Sequence, residues 1–135
     1  MRAKRTIITL VSMLLLSAAS IYAQRVDVEL HVKGIEEAKG KVMIALGDLN
    51  EPQKVFAGIK EVTETGELVF VIQGVPDEWK TDLNVFQDLD GDGKLFINPN
   101  GMPTEPCAAK KVTITADNPT VEITLMDIQK MFGGL

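Results

Sequence analysis

Apolar and polar positions alternate along most of this chain. In residues 25–33, Val26, Val28, Leu30 and Val32 alternate with Arg25, Asp27, Glu29, His31 and Lys33. A period of two over that length puts the apolar side chains on one face of a strand and the charged ones on the other. Gly34 and residues 36–40 read as a turn, followed by a second strand, 41–46, that buries Val42, Ile44 and Leu46. A third run covers 55–62. Glu64-Thr65-Gly66-Glu67 then reads as a hairpin turn into a fourth strand, 68–75. Leu68 through Ile72 are continuously apolar, which predicts a central strand covered on both faces. Leu83, Val85 and Phe86 mark a fifth strand, and residues 112–116 and 121–125 mark two more. Between them, Pro99, Pro103 and Pro106 predict an irregular stretch over 94–109. In the tail, Ile128, Met131 and Phe132 fall at helical spacing, enough for one short turn.

About seven short strands with turn signals every ten residues or so predict an all-β fold, an antiparallel sandwich of the immunoglobulin or transthyretin kind. An open barrel is the alternative, because periodicity does not fix strand order.

The first 23 residues follow a different pattern. Arg2, Lys4 and Arg5 are followed by an apolar stretch over 7–16 and by mostly small residues over 17–23, the three-part layout of a secretory signal peptide. The apolar stretch is shorter than the roughly 20 residues a membrane span needs. Cleavage is expected after Ala23, or alternatively after Ser20. The remaining 24–135 form one domain, exported to the periplasm or beyond. The leader carries three basic and no acidic side chains, so its removal takes the net charge from −5 to −8. That balance disfavours nucleic acid and anionic membranes as partners. The lone Cys107 has no disulfide partner within the chain, so stability has to come from a hydrophobic core.

One segment carries candidate chemistry: Asp88-Leu89-Asp90-Gly91-Asp92-Gly93-Lys94. Three carboxylates at alternate positions in a tight turn repel one another unless a cation separates them. The spacing matches the opening of an EF-hand calcium loop. Asp88, Asp90 and Asp92 stand at positions 1, 3 and 5, Gly93 at the sharp turn of position 6, and the Lys94 carbonyl at position 7. The match stops at position 12, where the bidentate Glu is replaced by Pro99, and no amphipathic helices flank the loop. A different Ca²⁺ site remains, in which Asn98, Asn100 or Glu105 returns to close the shell, with weak affinity on the order of 10⁻⁴ to 10⁻³ M. The competing reading is a solvated hairpin connection, because Asp-Gly is also a preferred turn pair.

Other chemistry is thin. His31, the single histidine, lies on the polar face of its strand and reads as solvated. One histidine without a cysteine partner does not build an ordinary zinc site. Cys107 has no neighbour in sequence that would activate it, and no nucleophile–base set forms without His31. Trp79 could stack on a sugar or cap the core at a sheet edge. A non-enzymatic envelope protein with a Ca²⁺ loop is expected. The alternative is a metal-free module that binds a glycan or an envelope protein.

Residues 74–110 resemble a family of small exported bacterial proteins known as domain of unknown function 2141. The resemblance rests on Val85-Phe86-Gln87-Asp88, on Asp90-Gly91-Asp92-Gly93-Lys94-Leu95, and on Gly101-Met102-Pro103-Thr104-Glu105. Val32-Lys33-Gly34-Ile35 with Gly40-Lys41-Val42 is similar to the family's opening. Gln87 stands where the family usually has His, and Phe96 where it has an acidic residue. Cys107-Ala108-Ala109 replaces an aromatic and polar run. The resemblance implies export and a sandwich, and it implies no activity.

Overall fold

The computed structural model describes residues 24–131 except 96, 98, 100 and 102. The expected leader and Phe132 therefore lie outside the described residues. Seven strands follow in order: β1 (Arg25–Ile35), β2 (Lys41–Leu46), β3 (Phe56–Glu61), β4 (Gly66–Pro76), β5 (Trp79–Asp88), β6 (Cys107–Ile114) and β7 (Thr120–Thr124). A 3-10 turn, Pro52–Lys54, precedes β3, and a single helical turn, α1 (Ile128–Met131), follows β7. The strands form a three-stranded sheet in the order β4-β1-β7 and a four-stranded sheet in the order β3-β2-β5-β6.

The two sheets share one core, and alternation explains it. In β1 the residues turned inward are Val26, Val28, Leu30 and Val32, with Ile35 closing the strand. Across from them lie Val42, Ile44 and Leu46 of β2, Leu83 and Val85 of β5, and Val112 and Ile114 of β6. Burying a side chain such as Leu30, Leu46 or Leu83 stabilises the fold by about 2 kcal/mol each. The sandwich edges are closed from the four-stranded sheet. Lys60 Nζ donates to the carbonyl of Val69 on edge strand β4 at 2.6 Å, and Lys110 Nζ donates to that of Glu122 on edge strand β7. A lysine on an exposed carbonyl discourages pairing with a second chain.

The all-β sandwich is as expected, with several corrections. One pairing, β1 with β7, is parallel, with Leu30 opposite Val121 and Val32 opposite Ile123, so the fold is not antiparallel throughout. The apolar run of β4 does not make it central. It is an edge strand, and Val71 is 66% exposed. Phe70 alone in that run is fully buried, and the flanking valines suit an extended backbone without covering it. Strand β5 begins at Trp79, earlier than its apolar residues suggest. The irregular stretch ends at Pro106, since Cys107, Ala108 and Ala109 already pair with Phe86, Val85 and Asn84. Trp79 caps the core, its ring meeting Phe56 edge-on at 5.8 Å and 69°. Among the described residues no helix is long and apolar enough to cross a membrane.

Candidate metal centre

The Asp/Gly loop leaves the sheet at the end of β5, and the last two residues of that strand fix its position. Gln87 takes the inward place that Leu83 and Val85 take earlier and is fully buried. Its Nε2 donates to the carbonyls of Glu37 (2.8 Å) and Lys39 (2.9 Å), which pins the β1–β2 turn beneath the loop. Gly40, at φ +69°, sits against the same strand end. A Cβ there would lie 2.1 Å from the Asp88 carbonyl oxygen, so only glycine fits.

Asp88 is 4% exposed and organises the turn around its own carboxylate. Oδ1 accepts from the Gly91 N–H at 3.0 Å and Oδ2 from the Gly93 N–H at 2.8 Å. Asp90 Oδ1 accepts from the Asp92 N–H at 3.1 Å, and Asp92 Oδ1 from the Lys94 N–H at 2.8 Å. These side-chain-to-backbone bonds are the local pattern that Asp favours in turns. Gly91 and Gly93 supply the positive φ the turn needs, +79° and +74°.

Glu105 returns from the far end of the loop, just before β6, and is also 4% exposed. Its Oε2 accepts from the Leu89 N–H at 2.6 Å and the Asp90 N–H at 3.4 Å. Its Oε1 is buried and, like Gln87 Oε1, has no hydrogen-bond partner among the described residues. One carboxylate oxygen from each of Asp88, Asp90, Asp92 and Glu105 lies within 4.8 Å of the others. Two oxygens 2.3–2.6 Å from a shared Ca²⁺ are at most about 5.2 Å apart. The spacing fits one such ion, and four hard oxygen donors suit Ca²⁺ better than a soft metal.

The crowding shows in the acidities. Burial pushes Asp88 up, but the N–H groups of Gly93 and Gly91, with a hydrogen bond from Asp90, outweigh it and hold its carboxyl below the usual range. For Asp90 the Asp92 N–H pulls down, yet desolvation and the shared bonds with Asp88 and Asp92 leave it raised. Glu105 is raised chiefly by burial, against the Leu89 and Asp90 N–H groups and with help from the charges of Asp90 and Asp88. A divalent cation would relieve the same repulsion without protons.

Of the residues expected at the site, Asp88, Asp90, Asp92 and Glu105 are brought together. Lys94 reaches the loop through its N–H, and Asn98 and Asn100 lie outside the described residues. An Ile97–Pro103 bridge ties the neck of the loop. Gln87 and Gly40 enter the sequence reading through the family resemblance, and their part in placing the loop is not read from it. A buried Gln reads as polar, and a close approach across the sheet leaves no local signal. The loop also walls an open cleft of about 530 Å³, whose other side is built by β2 and β3.

His31 is not free in solvent. It lies half-buried between two carboxylates, Nε2 to Glu29 Oε1 at 2.7 Å and Nδ1 to Glu67 Oε1. Hydrogen bonds to Glu67 and then Glu29 raise its pKa above the ordinary 6.5. Cys107 is half-buried, and burial, aided by the charge of Asp127, pushes its thiol up. That makes it a poorer nucleophile.

The model of a family described as "Uncharacterized protein conserved in bacteria (DUF2141)" matches residues 30–131, and the chain belongs to that family. No curated protein and no solved structure matches the chain.

Proposed function

We propose that this DUF2141 member is an exported, non-enzymatic β-sandwich module of the bacterial cell envelope whose 88–105 loop takes up Ca²⁺ and is stiffened by it. One observation carries the reading. Glu105 Oε1, buried and without a partner among the described residues, belongs to a set of four carboxylates close enough to share an ion. Buried polar atoms are normally satisfied, and an orphan among like charges marks a place for a cation. Asp88, Asp90, Asp92 and Glu105 would hold the ion, with the Lys94 carbonyl as in an EF-hand opening. Bound Ca²⁺ supplies charge neutralisation. Export is supported by the basic, apolar and small-residue order of the first 23 residues, and weak sites of this kind fill where Ca²⁺ is millimolar.

The metal-free reading, in which Trp79 and the proline-rich loop hold a glycan or an envelope protein, has less support because the Trp79 ring is spent on Phe56 and the core. Thermal melting separates the two. For a Kd near 1 mM, 10 mM Ca²⁺ stabilises by about 1.4 kcal/mol relative to chelator, which raises Tm by about 6 °C in a domain of this size. Asp90→Ala should abolish the response without unfolding the chain, because Asp90 is exposed. Equal melting of the unsubstituted chain in Ca²⁺ and in chelator would refute the proposal.

A further inference from the structure

The cleft beside the loop has the wrong composition for a site that holds only an ion. At about 530 Å³ it lies within the range of small-molecule sites, roughly 300–1,000 Å³. Asp88 and Asp92 line one wall, and Lys41, Met43, Ile59 and Glu61 line the other. The sheet register explains the second wall. Lys41 of β2 stands opposite Glu61 on β3 and Asp88 on β5, and Met43 stands opposite Ile59 and Phe86. Lys41 thus has an acidic residue on each side, yet it makes no ion pair or side-chain hydrogen bond among the described residues. Asp88, although it lines the cleft, accepts from the Gly91 and Gly93 N–H groups of the loop at both of its oxygens rather than pairing with Lys41. Ile59 is 58% exposed, so the cleft has an apolar side next to an unpaired ammonium.

Ca²⁺ takes six to eight oxygens, and four carboxylates giving one each, with the Lys94 carbonyl, leave one to three positions open. We infer that the cleft binds a small organic carboxylate, one end completing the shell of the loop cation and the other held by Lys41, with its carbon skeleton against Met43 and Ile59. The inference rests on the Ca²⁺ reading of the loop, since without a cation Glu61, Asp88 and Asp92 would repel an anion. With the cation in place, two positive centres flank the cleft, and an anionic ligand is favoured over its neutral counterpart.

Galacturonate is a suitable probe and galactose its neutral control. The ¹⁵N-labelled protein is titrated first with Ca²⁺ and then with each sugar, following backbone amide shifts. The expected result is movement of the 88–93 amides with Ca²⁺, then saturable movement at Met43, Ile59 and Gly93 with galacturonate. Galactose should bind about tenfold more weakly or not at all, and galacturonate should cause no shift in chelator. Lys41→Ala, at an exposed position whose side chain has no partner among the described residues, should keep the Ca²⁺ response and weaken galacturonate by about fivefold or more. A normal Ca²⁺ response with no galacturonate shifts, or with shifts indifferent to Lys41→Ala or to chelator, overturns the cleft assignment and leaves the ion site standing. Amides at 88–93 that ignore Ca²⁺ overturn the ion site, and the cleft assignment with it.

Discussion

Glu105→Gln is the substitution that distinguishes a metal ligand from an ordinary buried acid. Glu105 is 4% exposed, and its Oε2 holds the Leu89 N–H at 2.6 Å. Glutamine keeps the shape and one acceptor oxygen, so that N–H stays satisfied. The bond weakens from a charge-assisted one, about 1.5–3 kcal/mol, to a neutral one, about 0.5–1.5 kcal/mol, a loss of about 1 kcal/mol. Against that loss, the substitution removes a buried charge lodged near Asp88 and Asp90, the same burial and repulsion that raise the Glu105 pKa. In chelator at neutral pH the two effects oppose, and the variant should melt within about 4 °C of the unsubstituted chain. In 10 mM Ca²⁺ the order separates. The unsubstituted chain gains about 1.4 kcal/mol for a Kd near 1 mM, whereas a tenfold weaker site gains about 0.4 kcal/mol. The variant then falls behind by a further 1 kcal/mol or so, about 4–8 °C. Scanning calorimetry in the two buffers gives both numbers. A variant with the same Ca²⁺ increment as the unsubstituted chain would show that Glu105 is no ligand.

The pH dependence follows from the same group. Its folded pKa lies above the ordinary 4.5, so protonation favours the folded chain. In chelator, the Glu105 contribution to stability is fully present below pH 4.5 and is lost as pH rises through the higher folded value. Ca²⁺ needs the carboxylate, so its increment runs the other way and grows over that range. Glu105→Gln should flatten both trends.

Two further substitutions probe the scaffold and the His31 triad. Gly40→Ala should cost more than about 2 kcal/mol, because its Cβ meets the Asp88 carbonyl at 2.1 Å in a left-handed conformation. Gly91→Ala, with nothing within 4 Å, should cost about 1 kcal/mol of backbone strain, and urea midpoints compare the two. The His31 imidazole should titrate above 6.5 by NMR, and Glu67→Gln should lower it more than Glu29→Gln, since the Glu67 bond is the larger cause. The stabilisation by this triad is present below pH 6.5 and is lost as pH rises through the folded value. Titration at or below 6.5 would mean that the triad does not form.

What could be read from the chain and what could not divide along one physical line: local patterns are legible, and pairings across the sandwich are not. The inward positions of β1 follow from a strict alternation that burial enforces one residue at a time. Asp88, Asp90 and Asp92 are legible because turn chemistry and ligand spacing are both local, and Glu105 because an incomplete calcium loop needs an oxygen from further along. The apolar run of β4 misleads because β-branched residues favour extended backbone at an edge as well as at a centre, so composition does not report neighbours. The parallel β1–β7 pairing joins residues some ninety positions apart and leaves no trace in either strand. The positioning roles of Gln87 and Gly40 are the instructive misses. Each acts through the β1–β2 turn, one holding its carbonyls and the other admitting the Asp88 carbonyl, and neither carries chemistry of its own. The site is therefore a local acidic motif whose position is set by a distant turn. A lesion in that turn should loosen Ca²⁺ as surely as loss of a ligand, even though no ligand is touched.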